Sequence, residues 1–256
     1  GVTGPAIGII FDGVGYGSDG QIWGGEFLVG DLQSFERVGH LAYRPMPGGD
    51  AATKEPWRMA VSHLYAAYGD NLPELEFLQQ LQMVEKQLNS PLTSSVGRMF
   101  DAVAALVGLR SKVSYEGQAA LELEMLIDDE EAEETSYPFV IDHQHGLLQV
   151  DSVPMIRAVV ADLVAGVEPS RISARFHTGL AQLIVDICRQ ISLQYGPLPV
   201  ALSGGVFQNR YLTERAAKLL RKAGYQVLLH RQVPPNDGGL ALGQAAIAGI
   251  ETNYHQ

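Results

Sequence analysis

Cysteine is almost absent from this chain: Cys188 stands alone among 256 residues. A single thiol excludes an internal disulfide and any zinc site built on cysteine pairs, and it makes a reducing cytoplasm the expected setting. Cations are scarce as well. Lysine and arginine number 18 against 29 aspartates and glutamates, a formal net charge of −11. Phosphate-backbone binding draws on clustered positive charge, so no nucleic-acid partner is expected. Long apolar runs are missing too. The best stretch, Met155 to Val167, is interrupted by Arg157 and Asp162 and falls short of the roughly 20 apolar residues a membrane span needs. No membrane role is expected either. No leader precedes the first apolar run, Ala6 to Phe11, and the chain opens on Gly1. That abrupt start reads as a piece cut from a longer protein.

What is present describes a globular α/β domain. Hydrophobic residues make up 46% and charged residues 18%, enough for a core that buries roughly 70–75% of the surface an unfolded chain of this length exposes. Ala6 to Phe11 and Ile22 to Val29 read as strands joined by a wide loop carrying Gly13, Gly15, Gly17 and Gly20, with a third strand over Arg37 to Tyr43. The stretch 45–195 reads as mainly helical. Apolar spacing predicts helices from Pro56, over Pro73 to Leu81, Met83 to Asn89, Ser94 to Leu106, Gly117 to Met125, Met155 to Leu163 and Ser170 to Gln194. Asp128 to Glu134 is an acidic run expected to be a solvated loop, and a short hairpin is expected around His143 and Gly146. The end, 196–256, reads as strand (Val200 to Leu202), helix (Asn209 to Ala223), strand (Gln226 to His230) and a final helix opened by Asp237-Gly238-Gly239. Three successive strands followed by this alternation imply one mixed sheet flanked by helices, with a helical insertion.

Two glycine-rich turns at strand ends are the first chemical signal: Asp12-Gly13-Val14-Gly15-Tyr16-Gly17 and Ser203-Gly204-Gly205-Val206-Phe207-Gln208-Asn209. Glycine lets backbone N–H groups approach a phosphate, and a helix N-terminus beyond the second turn favours negative charge. Neither turn has Walker or dinucleotide spacing, so a nucleotide site and plain tight turns both stay open. Asp12 and Asp237 each sit beside glycine at a strand end. Two converging carboxylates suit a divalent cation bridging phosphates, and simple capping of the last helix is the other role open to Asp237. The histidines His143, His145, His177 and His230 form no evident ligand set, Ser203 lacks a nucleophile elbow, and Cys188 falls inside an amphipathic helix.

Several strings together are recognisable. Phe11 to Gly17 running into Trp23-Gly24-Gly25-Glu26, Pro45 to Asp50 with Glu55 to Arg58, Ser94 to Asp101, Tyr115 to Ala120, Ala174 to His177, Ser203 to Asn209, and Pro234 to Gly239 closely resemble the C-terminal part of the HypF family, the carbamoyltransferases of nickel-iron hydrogenase maturation. The resemblance implies a lobe of the actin, Hsp70 and sugar-kinase (ribonuclease H-like) superfamily. It implies ATP and carbamoyl adenylate as ligands and transfer of the carbamoyl group to the C-terminal cysteine thiol of a HypE-like partner. By position, Asp12 and Asp237 match two ligands of a divalent metal (zinc, iron or magnesium). Gly13 and Gly15 lie in the first phosphate turn, Ser203, Gly204, Gly205 and Asn209 match the nucleotide turn, and Gly97 and Asp101 match the segment near the nucleoside. A histidine motif that completes the family's metal site, and the family's other N-terminal domains, precede the part matched here. A fragment with half a metal site and one wall of a nucleotide cleft is the result. Antibiotic O-carbamoyltransferases, which modify a sugar hydroxyl, and a non-catalytic docking lobe are the alternatives.

Overall fold

A computed structural model describes residues 2, 4–71, 89–128 and 135–253. The helices expected over 73–81 and 83–89 and the acidic run 128–134 lie outside these residues, apart from Asn89 and Asp128. The chain opens with an antiparallel meander of β1 (Ala6–Tyr16), β2 (Ile22–Gly30) and β3 (Phe35–Leu41). Ile7, Ile9 and Phe11 of β1 alternate into the core with the period of two that a one-sided buried strand requires. The wide glycine loop expected here does not form. β1 and β2 pair as far as Tyr16 and Ile22 across a register shift between Phe11 and Gly15, so Gly13 and Gly15 are strand residues in a bulge. Only the stretch from Gly17 to Gln21 turns, closed by the Gly17 N–H donating to the Gln21 carbonyl at 3.0 Å.

The middle of the chain is helix-rich but feeds four strands into the same sheet. It comprises β4 (Arg44–Pro45), α1 (Ala51–Lys54), α2 (Trp57–Tyr68), β5 (Leu92–Thr93), α3 (Val96–Leu106), α4 (Gln118–Met125), β6 (Val140–Gln144), β7 (Leu147–Asp151), α5 (Val153–Val164) and α6 (Pro169–Tyr195). The end follows as β8 (Val200–Ser203), a 3-10 turn over Gly205–Gln208, α7 (Arg210–Lys222), the two-residue β9 (Val227–Leu228), a second 3-10 turn over Asp237–Gly239, and α8 (Leu240–Asn253). Strand order is β6-β7-β3-β2-β1-β8-β9, with β5 beside β2 and β4 beside β5. Pairs β1–β8, β8–β9 and β3–β7 are parallel and β1–β2, β2–β3 and β6–β7 antiparallel, so the sheet is mixed. β9 is shorter than the expected 226–230 strand because it pairs with β8 only through Val227 and Leu228.

Helix α3 is buried along its whole length, which explains why its sequence offers so little polarity. Phe100 on α3 meets Phe176 on α6 edge to face with ring centroids 4.8 Å apart, and Phe11 stacks on Phe207 at 5.4 Å. Sheet, central helix and first 3-10 turn therefore share one core, and that core fixes the ends of β1 and β8. Among the described residues no helix is long and apolar enough to cross a membrane.

Candidate functional site

Parallel pairing sets Ile10 of β1 beside Ser203 of β8, so both strands deliver their C-terminal ends to one edge of the sheet, where ligands of α/β proteins tend to lie. Gly204 makes the tight exit from β8 with φ +102°, and a Cβ there would stand 2.1 Å from the Phe11 carbonyl oxygen. No residue with a side chain fits. The Asp12 carboxylate lies over this turn. Gly13 N–H donates to its Oδ1 at 2.8 Å, the Gly205 amide also bonds to it, and a Cβ at Gly205 would come within 3.0 Å of the same oxygen. Two glycine amides thus converge on one anion, as in the backbone nests that hold phosphates.

Ser95 ties this strand end to α3. Its Oγ donates to the Asp12 carbonyl at 2.6 Å and accepts the Arg98 N–H at 3.0 Å as the helix cap. Gly97 follows, so close to Gly13 that a Cβ would be 2.8 Å from the Gly13 Cα. On the third side Asn236 caps the turn before α8 by accepting the Gly238 N–H at 3.1 Å. Because Asn236 makes that capping contact, the Asp237 carboxylate beside it is available to the cavity.

These elements enclose a cavity of about 480 Å³. Asp12, Gly13, Gly97, Asp101, Gly205, Asn209 and Asp237, seven of the ten residues expected at a site, line it. The other three do not. Gly15 packs under the Trp23 carbonyl, Ser203 turns its Oγ to His230 Nε2 at 3.0 Å and to the Pro235 carbonyl, and Gly204 donates its N–H to Pro235 at 2.8 Å. They shape the turn from behind. Residue-type reasoning missed Arg98, Tyr115, Glu116, Glu124, Gln208 and Asn236, which also line the cavity. All but Glu124 fall within the strings that carry the family resemblance, and no local residue pattern marks any of them as a cavity residue.

Five carboxylates, on Asp12, Asp101, Glu116, Glu124 and Asp237, face one guanidinium, Arg98. Burial pushes the Asp101 carboxyl up to about 7, with Arg98 pulling it down and Glu116 pushing it further up. Arg98 Nη1 stands 2.9 Å from Asp101 Oδ2, yet among the described residues neither atom has a hydrogen-bond partner, and Arg98 Nε has none either. The pair is close but misaligned, which is why the cation does not hold the carboxyl low. Burial also raises Asp12, partly offset by the Gly13 and Gly205 amides and reinforced by Asp237 and Glu116. A cavity so acidic suits a cation. Asp12 and Asp237 can contribute oxygens to a divalent ion, but among the described residues no group of three or more histidine, cysteine, aspartate or glutamate side chains could hold one. On the described residues this donor set covers at most part of a coordination shell.

Other candidates fall away from the cavity. His143 lies on β6, the strand at the far end of the sheet from β8 and β9, and His145 in the turn that follows it. Cys188 is buried in α6 and its thiol is pushed up to about 12, which removes it as a nucleophile.

Fold and cavity together define an α/β protein, a mixed sheet flanked by helices with a cavity at the carboxyl edge of the sheet. Residues 8–244 match the family described as "Carbamoyltransferase, Kae1-like Domain, second subdomain". The chain is 37% identical over 274 residues to carbamoyltransferase HypF2 of Cupriavidus necator, covering 95% of this chain and 34% of that protein. It is 40% identical over 253 residues to HypF of Rhodobacter capsulatus, covering 96% and 32%. It superposes on a crystal structure of full-length HypF in the phosphate- and nucleotide-bound form with a TM-score of 0.85 and 41% identity, over 95% of this chain and 33% of that one. The chain belongs to the HypF carbamoyltransferase family, and it spans about a third of the length of these relatives.

Proposed function

We propose that the chain is the nucleotide-holding lobe of a carbamoyl-transfer centre, with the actin-like (ribonuclease H-like) architecture that the sequence resemblance implies. The observation that carries this reading is the convergence of Asp12, Gly205, Asn209 and Asp237 on one cavity, in a chain whose family relatives are named carbamoyltransferases. The ligand is ATP or carbamoyl adenylate, and the acceptor is the C-terminal thiol of a HypE-like protein, in a cytoplasmic setting. In the transfer, the thiolate sulfur attacks the carbamoyl carbon, the carbon–oxygen bond to the adenylate phosphate breaks, and its electron pair leaves on AMP. Asp12 and Asp237 would hold part of the shell of a divalent metal, which when bound would supply charge neutralisation for the leaving group.

The chain's own residues do the rest. Asn209 and Arg98, with Gln208 and Asn236, carry side-chain N–H donors on the cavity wall. The glycine turns exclude side chains from the phosphate position, and Asp101 beside Gly97 supplies an acceptor for a nucleoside hydroxyl. The attacking thiol comes from the partner, consistent with the buried and unreactive Cys188.

The test supplies preformed carbamoyl adenylate and a cysteine-tailed HypE-like protein to the 256-residue chain and to a full-length relative. The full-length protein is expected to form thiocarbamate, and the chain alone to bind the nucleotide with little or no transfer. Robust turnover by the chain alone would contradict the half-site reading.

A further inference from the structure

Behind Asn209, on the side away from the cavity, lies a buried histidine. His177 of α6 is fully buried, boxed by the rings of Phe100 at 5.1 Å, Phe176 at 5.6 Å and Tyr211 at 5.7 Å, all edge to face. Its polar contacts form one chain whose hydrogens can be assigned from end to end. Ser173 Oγ donates to the Leu123 carbonyl at 2.6 Å, so its own hydrogen is spent. His177 Nδ1 lies 2.8 Å from the Ser173 carbonyl and 3.3 Å from that Oγ. A carbonyl only accepts, so Nδ1 carries the proton. Nε2 is then an acceptor, and it faces Asn209 Nδ2 at 2.9 Å. At the other end of the amide, Asn209 Oδ1 accepts the Leu212 N–H at 2.8 Å as the cap of α7.

Both ends of the Asn209 amide are therefore fixed, and a flip would set two donors and two acceptors face to face. We propose that His177 is a positioning residue for ligand binding. Its Nε2 locks the Asn209 amide so that the second Nδ2 hydrogen is the group offered to the cavity, which makes this wall a donor selective for an acceptor oxygen such as that of a phosphate or hydroxyl. The neutral ring follows from the same geometry, since burial holds it at about 4, far from protonation at neutral pH. Both a charged imidazole and the other tautomer would turn Nε2 into a donor and break the lock.

This inference rests on the nucleotide reading of the cavity, and the experiment separates the two. AMP and ATP, each with magnesium present, are titrated calorimetrically into the full chain, His177→Phe, His177→Gln, Asn209→Ala and the His177→Phe/Asn209→Ala double variant, with thermal melts run in parallel. Phe keeps the aromatic packing but removes the acceptor, whereas Gln keeps an acceptor oxygen. His177→Phe is expected to weaken AMP binding about tenfold, His177→Gln to restore it to within about threefold, and the double variant to bind no more weakly than Asn209→Ala alone. Unchanged affinity in His177→Phe, or additive losses in the double variant, would overturn the positioning role while leaving the nucleotide reading intact. Failure of the unaltered chain to bind either nucleotide would overturn both. Nitrogen NMR of the His177 ring needs no ligand: a protonated Nδ1 with an unprotonated Nε2 is expected, and the reverse would overturn the lock.

Discussion

Asp101 is the cavity residue whose chemistry departs furthest from its ordinary behaviour. Its carboxyl is raised to about 7 by burial, so the folded state resists its ionisation. The group favours folding fully below the unfolded value near 4, and that advantage is lost as pH rises towards 7. We predict that Asp101→Asn is stabilising relative to the parent at pH 8 and not at pH 4, the difference being about 2–4 kcal/mol for a shift of this size. Denaturant melts at the two pH values check the sign, and a difference that grows in the acid direction would refute it. Gly204 makes the opposite kind of claim, steric instead of electrostatic. A side chain there meets the Phe11 carbonyl at 2.1 Å in a backbone region that only glycine occupies comfortably, so Gly204→Ala is expected to cost about 3 kcal/mol or more. A melting temperature equal to the parent's would show that β1 and β8 are not held as described. The sequence marked both positions, though for partly different reasons. The resemblance sets Gly204 among the residues of the nucleotide turn, whereas it shapes that turn from behind, because a glycine string does not tell which glycines face outward.

At the scale of elements, the meeting of β1 with α3 organises the cavity. One hydroxyl, Ser95 Oγ, both caps the helix and holds the Asp12 carbonyl. Ser95→Ala is expected to destabilise by about 1–2 kcal/mol and to weaken ligand binding as Asp12 loosens. A calorimetric titration paired with a urea melt tests this, and loss of stability with unchanged affinity would separate the cap from the site. Helix α8 presents a contrast. Leu240 and Leu242 are 58% and 54% exposed, so Leu242→Gln is expected to alter stability by less than about 0.5 kcal/mol. Leu180→Ala in the buried face of α6 should cost about 2–5 kcal/mol. Long periodic helices such as α6 and the capped α3 could be read from sequence to within a residue or two. The pairing of β1 through its glycines could not, because a bulge is set by the partner strand, and an apolar pattern such as that of α8 does not say what, if anything, covers it.

At the scale of the molecule, the described residues form an acidic α/β unit whose mixed sheet brings residues from near both ends of the sequence to a single edge. Asp12 and Asp237 are 225 positions apart in sequence, by subtraction of their numbers, yet they line the same cavity. Their convergence could be anticipated only through family resemblance, since no local spacing relates them. The same is true of Arg98 and Asn236, which carry no motif by themselves. The net charge of −11 and the five cavity carboxylates make a nucleotide phosphate unwelcome without a cation, so binding should depend on a divalent metal and on both aspartates. Titration of Mg-ATP into the 256-residue chain, with Asp237→Ala and Asn209→Ala alongside, tests this most directly. The account predicts weak saturable binding to the chain and affinity at least about tenfold lower in each variant. Equal affinity in all three proteins would contradict it.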